Sequence, residues 1–201
     1  MGIKERRQRE RQQLREGILS AAREIASAEG WQAVTIRRIA ARIEYSPPVL
    51  YEYFDSKEDL LLELVRIGYA GQLEAVESAA EAPDGPEEAL LGMGRAWLRF
   101  AFDSPDLYQA MYGLGGVSFP VTELRKEGEK IGAVMAKAIG ELMEEHGKEA
   151  EDVWGKVTLL WATAHGLASL HMVGRIPGGE EETKRLVDLA ARDYLKAWIG
   201  G

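Results

Sequence analysis

The chain has 201 residues, 46% of them hydrophobic, and a net charge of −8. That is enough apolar material for a core and too much for a disordered tail. Without cysteine there is no disulfide framework, thiol nucleophile or cysteine-ligated metal. The opening "MGIKERRQRERQQLREG" is too polar for a signal peptide, and no apolar run nears the ~20 residues that span a bilayer. A cytoplasmic protein with no membrane partner is expected.

The charge is unevenly spread. Residues 1–45 hold ten Lys or Arg against six Glu, a net of +4, so the remainder carries −12. A basic head on an acidic body can hold phosphates locally even though the whole chain is acidic.

Helical periodicity runs almost throughout. Between Gln12 and Glu29, Ile18, Ala22, Ile25 and Ala26 mark one face, and Gly30 supplies a left-handed cap. Trp31 can fold back onto that helix. Thr35 opens a short second helix with Ile36, Ile39, Ala40 and Ile43 inward. A third helix is expected from about Pro48 to Phe54. Pro48 takes the first helical position, where its missing N–H costs nothing, and Pro47 serves as the cap or entry residue. Leu50, Tyr53 and Phe54 have core spacing, which turns Val49, Glu52 and part of Tyr51 outward. Ser56 and Asp59 form a capping-box pattern for a fourth helix reaching about Ala80.

The loop "EAPDGPEEA" ends that helix. A fifth helix follows from about Pro86 to Phe102, then a short sixth in "DSPDLYQAMYG". The stretch "GLGGVSFP" closes on a helix-starting proline, Pro120. Long helices are expected over about Val121–Glu145, Ala150–Val173 and Glu180–Ile199. The fold class is all-α, about nine helices, a three-helix head on a C-terminal helical bundle. The junction is placed near residue 60, inside the fourth helix.

Two short helices joined by a tight turn at a steep angle make a helix-turn-helix, whose second helix meets base edges in the major groove. The paired prolines start that second helix abruptly. At this spacing "TIRRIAARIEYSPPVLYEYFDSKEDLLLELV" resembles the DNA-binding head of the TetR family of bacterial transcriptional regulators, over roughly residues 14–66. The segment "LWATAHGLASL", residues 160–170, resembles the Trp…His-Gly signature of one subgroup of TetR C-terminal bodies. The resemblance implies a DNA-binding domain over residues 1–60 and an effector-binding and dimerisation domain over 61–201. It implies a ligand-responsive regulator, by family default a repressor, bound as a homodimer to a palindromic operator. A small hydrophobic or aromatic effector would release it.

At positions matching the motif, chemistry suggests roles. Thr35 caps its helix close to a phosphate. Arg37 can reach a guanine edge or a phosphate, and Arg38 a phosphate or solvent. Ser46, Pro47, Val49 and Glu52 lie where sequence is read: Val49 can pack on a thymine methyl and Glu52 can accept from cytosine N4. Tyr51, Tyr53 and Lys57 suit phosphate oxygens. Three positions depart from the family pattern. Glu44 stands where many members have Gly for a positive φ, at a cost of about 1 kcal/mol if the geometry is kept. Pro47 replaces a residue that is often polar or basic, and Glu52 puts a carboxylate near phosphates. They keep open an alternative, a protein-interaction adaptor on the same fold with weak or no DNA binding.

Dimerisation is expected through the last two helices. Gly155, Leu159, Ala162, Gly166 and Ser169 form a small-residue stripe on the eighth, and Leu186, Leu189, Ala190 and Trp198 an apolar face on the ninth. A second stripe on the eighth, Trp161, His165, Ala168 and Met172, could line an effector cavity with Trp97, Phe100, Tyr108, Met111, Tyr112 and Met135. The same residues would also serve as plain core. No metal site, cofactor or catalysis is expected. His165 and His171 point to different faces of one helix, and no Ser or Thr falls in a nucleophile motif.

Overall fold

In a computed structural model, residues 2–81, 84–116 and 121–200 are described, and among them every regular element is helical. The helices are α1 (Ile3–Glu29), α2 (Ile36–Arg42), α3 (Pro47–Leu50), α4 (Lys57–Ala80), α5 (Pro86–Asp103), α6 (Pro105–Met111), α7 (Val121–Glu145), α8 (Val153–Met172) and α9 (Gly179–Ile199). The expected all-α class is observed. Pro120, expected to start the seventh helix, lies outside the described residues.

Several boundaries differ from the sequence expectation, each for a local reason, and α3 ends at Leu50 rather than Phe54 because the chain there passes into a turn. α1 starts at Ile3 rather than near Gln12, because residues 3–16 are helix formers with no Gly or Pro. α3 begins at Pro47, not Pro48, and Ser46 takes the cap position. The first four N–H groups of a helix have no internal partner, so two successive prolines forfeit nothing there. α8 starts at Val153 because Asp152 caps it, accepting from Gly155 N at 3.1 Å with a left-handed backbone of φ 44°.

The helices sort into two compact units. One holds the chain up to Gly68 together with the α6 segment from Asp106, and the other holds Tyr69–Pro105 with α7–α9. The first unit buries Ile18, Ile25, Trp31, Ile39, Leu50, Leu60 and Leu64 completely or nearly so. Arg23 of α1 grips Asp106 of α6 at two points, and Trp31 Nε1 donates to the Asp106 carbonyl at 2.8 Å. The second unit is centred on Leu91, Met93, Leu98, Ile139 and Leu142. α9 turns Thr183, Val187, Ala191 and Leu195 inward. Arg95 of α5 ties it down, with Nη2 2.7 Å from Asp188 and Nη1 2.7 Å from Glu88.

Candidate nucleic-acid interface

The first unit builds its outer surface from α2 and α3. Thr35 starts α2 as expected, its hydroxyl accepting from Arg38 N at 3.2 Å. The helix ends in a paired set of backbone bonds: Tyr45 N donates to Ala40 O at 2.9 Å and Glu44 N to Ala41 O at 3.4 Å. This is a Schellman termination, and it puts Glu44 at the left-handed position that glycine usually takes. Glu44 has φ 60°. The turn therefore has the backbone expected from sequence, and a side chain that disfavours it by about 1 kcal/mol.

α3 is short. After Leu50 the chain goes on as a turn, with Tyr53 N and Phe54 N both donating to Leu50 O. Leu50 and Phe54 are buried, which fixes the element's rotation. Tyr51 is then 52% exposed, Ser46 and Glu52 are exposed, and Pro47, Val49 and Tyr53 are half-buried. Lys57 begins α4 and is half-buried; Ser56 caps that helix by accepting from Asp59 N at 3.0 Å.

The basic residues of α2 divide. Arg38 is held by Glu29, which raises its pKa, and it donates to Ala33 O at 3.4 Å. Arg42 is paired with Glu24 at 2.8 Å. Arg37 is exposed and makes no ion pair among the described residues. A free guanidinium beside the exposed α3 surface is available to a base edge or a phosphate, whereas Arg38 would first have to leave Glu29.

Sequence reading counted Arg11 only among the charges of the basic head and did not anticipate that Arg11 and Arg15 hold the reading segment. Arg11 Nη2 donates to the Glu52 carbonyl at 3.3 Å, and its guanidinium lies 5.6 Å over the Tyr53 ring. Arg15 lies 5.0 Å over Phe54 and pairs with Glu63 at 2.9 Å. The available signal was the spacing of Arg11 and Arg15 on the face of α1 that leads to Ile18.

The candidate effector residues fall into two groups. Tyr108, Met111 and Tyr112 belong to the first unit. The Tyr108 and Tyr112 rings pack 4.7 Å apart, and the Met111 side chain fills the space beside Gly68. Trp97, Phe100, Met135, Trp161, His165 and Met172 belong to the second unit. There His165 stacks on Trp161 at 5.5 Å and meets the edge of Trp97 at 6.3 Å, and burial lowers its pKa. Phe100 lies against Gly71 of α4. Ala168, from the same stripe, is fully buried.

Residues 18–64 match the family described as bacterial regulatory proteins, tetR family, and residues 90–194 match the tetracyclin repressor-like C-terminal domain. The chain is 30% identical over 170 residues to the HTH-type transcriptional repressor KstR of Mycobacterium tuberculosis, covering 81% of this chain and 76% of that one. It is 28% identical over 162 residues to an uncharacterized HTH-type regulator of the same organism, covering 80% and 71%. Among solved structures, the TetR family regulator PfmR of Thermus thermophilus aligns with a TM-score of 0.69 at 23% identity. That alignment covers 87% of this chain and 97% of that one.

Proposed function

Because this chain belongs to the TetR family and is thereby a DNA-binding transcriptional regulator, we propose that it is a ligand-released repressor acting as a homodimer on a palindromic operator in the cytoplasm. The observation that carries the DNA reading is the division of charge on α2. Arg37 makes no ion pair among the described residues and lies on α2, next in the chain to the segment with exposed Ser46, Tyr51 and Glu52 and half-buried Val49, while Arg38 and Arg42 are tied to Glu29 and Glu24. Repression is supported by relatives named as repressors.

Two copies double the contact area of a small reading head and set two α3 segments one helical turn apart, ~34–36 Å. The second unit supports pairing. Leu159 and Leu170 of α8, Val173 just after it and Leu189 of α9 are exposed apolar side chains, and a Cβ added at Gly166 would meet nothing within 4 Å. The inward face of α9 is made by other residues, which leaves Leu189 for a partner. The Trp97–His165–Trp161 cluster suits an aromatic or hydrophobic effector. Effector binding to the body shifts α4, changes the spacing of the two heads and lowers operator affinity. This requires the effector to bind the released state more tightly than the operator-bound state.

Selection of bound fragments from genomic DNA, followed by a screen of aromatic and hydrophobic compounds on the best fragment, tests the proposal. It expects one palindromic site and at least one compound that releases it. Enrichment of sites with no dyad, or a site that no compound weakens, would contradict the dimer or the effector part.

A further inference from the structure

α1 is longer than its packing requires. It begins at Ile3, yet from Lys4 to Gln13 every side chain is exposed, Leu14 is the first half-buried one after them and Ile18 the first buried one. Residues 4–13 stand out as about three turns of exposed helix. Local chemistry keeps them helical: Arg6 pairs with Glu10 at 2.9 Å, Gln12 donates to Glu16 at 2.7 Å, and Gly2 N donates to Glu5 at 2.9 Å.

The projecting segment is two-sided. Lys4, Arg7, Arg11 and Arg15 recur at i, i+3, i+7 and i+11, so they share one face. The lower end of that face is fixed to the reading segment, by Arg11 on Glu52 and Tyr53 and by Arg15 on Phe54. Lys4 and Arg7 are exposed and continue the face outward from the reading segment. The acids of the projection are engaged elsewhere, Glu5 with the Gly2 N–H and Glu10 with Arg6. Arg9 points the opposite way by its position on the helix.

We infer that this basic face lies along the sugar–phosphate backbone just outside the half-site, with Lys4 and Arg7 against phosphates. The inference rests on the DNA-binding reading above and extends it to a surface that reads no bases. With side chains an α-helix is about 10–12 Å across, whereas the minor groove is about 6 Å wide. The projection therefore cannot enter the minor groove as an extended arm could. Its ten residues cover roughly 15 Å at 1.5 Å per residue, or about four base pairs of flank at 3.4 Å per step. Its contribution is independent of sequence and sensitive to salt.

The test uses full-length protein and the selected operator, with and without flanking base pairs, and measures affinity against salt. Because each substitution is present in both protomers, Arg7→Gln should reduce the salt slope of the dimer–operator complex by about 2 and Lys4→Gln with Arg7→Gln by about 4. Arg9→Gln, on the opposite face, should leave it unchanged, and all differences should vanish on the duplex trimmed to the half-sites. If wild type binds with a steep slope and Arg7→Gln does not alter it, or Arg9→Gln lowers it equally, the assigned face is wrong. If wild type shows no salt-dependent binding at all, the DNA reading fails and this inference with it.

Discussion

Arg23 and Asp106, 83 positions apart, form a two-point ion pair: Nε lies 2.6 Å from Oδ2 and Nη2 3.0 Å from Oδ1. The Asp106 side chain is 4% exposed and that of Arg23 37%. The carboxylate beside it raises the Arg23 pKa against the opposing effect of partial burial. The pair fastens α6 to α1 within the unit that carries the reading surface, and Trp31 adds a third point through the same residue's carbonyl.

Removing Arg23 strands an almost buried carboxylate, and hydrogen bonds to charged groups contribute about 1.5–3 kcal/mol. Arg23→Met should therefore cost about 2 kcal/mol in urea unfolding, a value kept low because the guanidinium is partly solvated. The double substitution with Asp106→Asn should recover part of that loss. Equal losses for the double and the summed singles would show that the two residues do not couple.

Glu44→Gly should stabilise the protein by about 1 kcal/mol, since only the backbone at φ 60° resists a side chain there. Glu44→Ala should gain nothing, because alanine carries the same Cβ. Thermal or urea midpoints of the two variants decide the matter.

Arg37 and Arg38 are neighbours with opposite expectations. Arg37→Ala should cost about 1–3 kcal/mol of operator affinity, concentrated at one base position. Arg38→Ala should lower stability by less than about 1 kcal/mol, as expected for an exposed pair with Glu29, and leave base preference intact. Binding to a panel of single-base operator variants separates the two. A flat profile for both variants would remove Arg37 from base reading.

His165 gives a pH dependence of known sign. Burial lowers its pKa in the fold, so the unfolded chain binds the proton more readily. Its contribution to stability is complete above the unfolded value of about 6.5. It is lost as pH falls below that toward the depressed folded value. Wild type should lose stability between pH 7.5 and pH 5.5, and His165→Gln should lose less. A variant with the same acid loss as wild type would place the pH sensitivity elsewhere.

Leu189→Arg places a charge on the exposed face of α9, 46% accessible in the single chain. On the proposed dimer, sedimentation equilibrium should show a dimer for wild type and a monomer of wild-type helicity for the variant. A variant that stays dimeric would move the pairing surface away from α9.

Much of this was legible because it is local. Proline and glycine punctuation located α5 and α9 closely, and the Thr35 and Ser56 caps were readable from neighbouring residues. The positive φ at Glu44 followed from the turn that the motif needs. The start of α3 was misjudged by one residue because a helix's first turn accepts two prolines as readily as one, and its end by four, because the chain after Leu50 goes on as a turn rather than as helix to Phe54. What stayed hidden was long-range. The tie between Arg11 and Glu52 spans 41 positions, and no periodicity links Arg23 to Asp106. The N-terminal turns of α1 are polar all round, so an apolar pattern could not mark them as helix. The candidate effector residues were chosen from helical stripes, and a stripe does not tell which unit its helix joins. Tyr108, Met111 and Tyr112 lie in one unit and the other six residues in the second.

The most direct test of the central claim is the salt dependence of binding by purified, folded protein to its best selected duplex. A linear fall of log affinity with log salt is expected, steep enough for several phosphate contacts on each half-site. Affinity that does not change with salt, or no duplex enriched even at low salt, would contradict a DNA-reading head and favour a protein-interaction adaptor on the same fold.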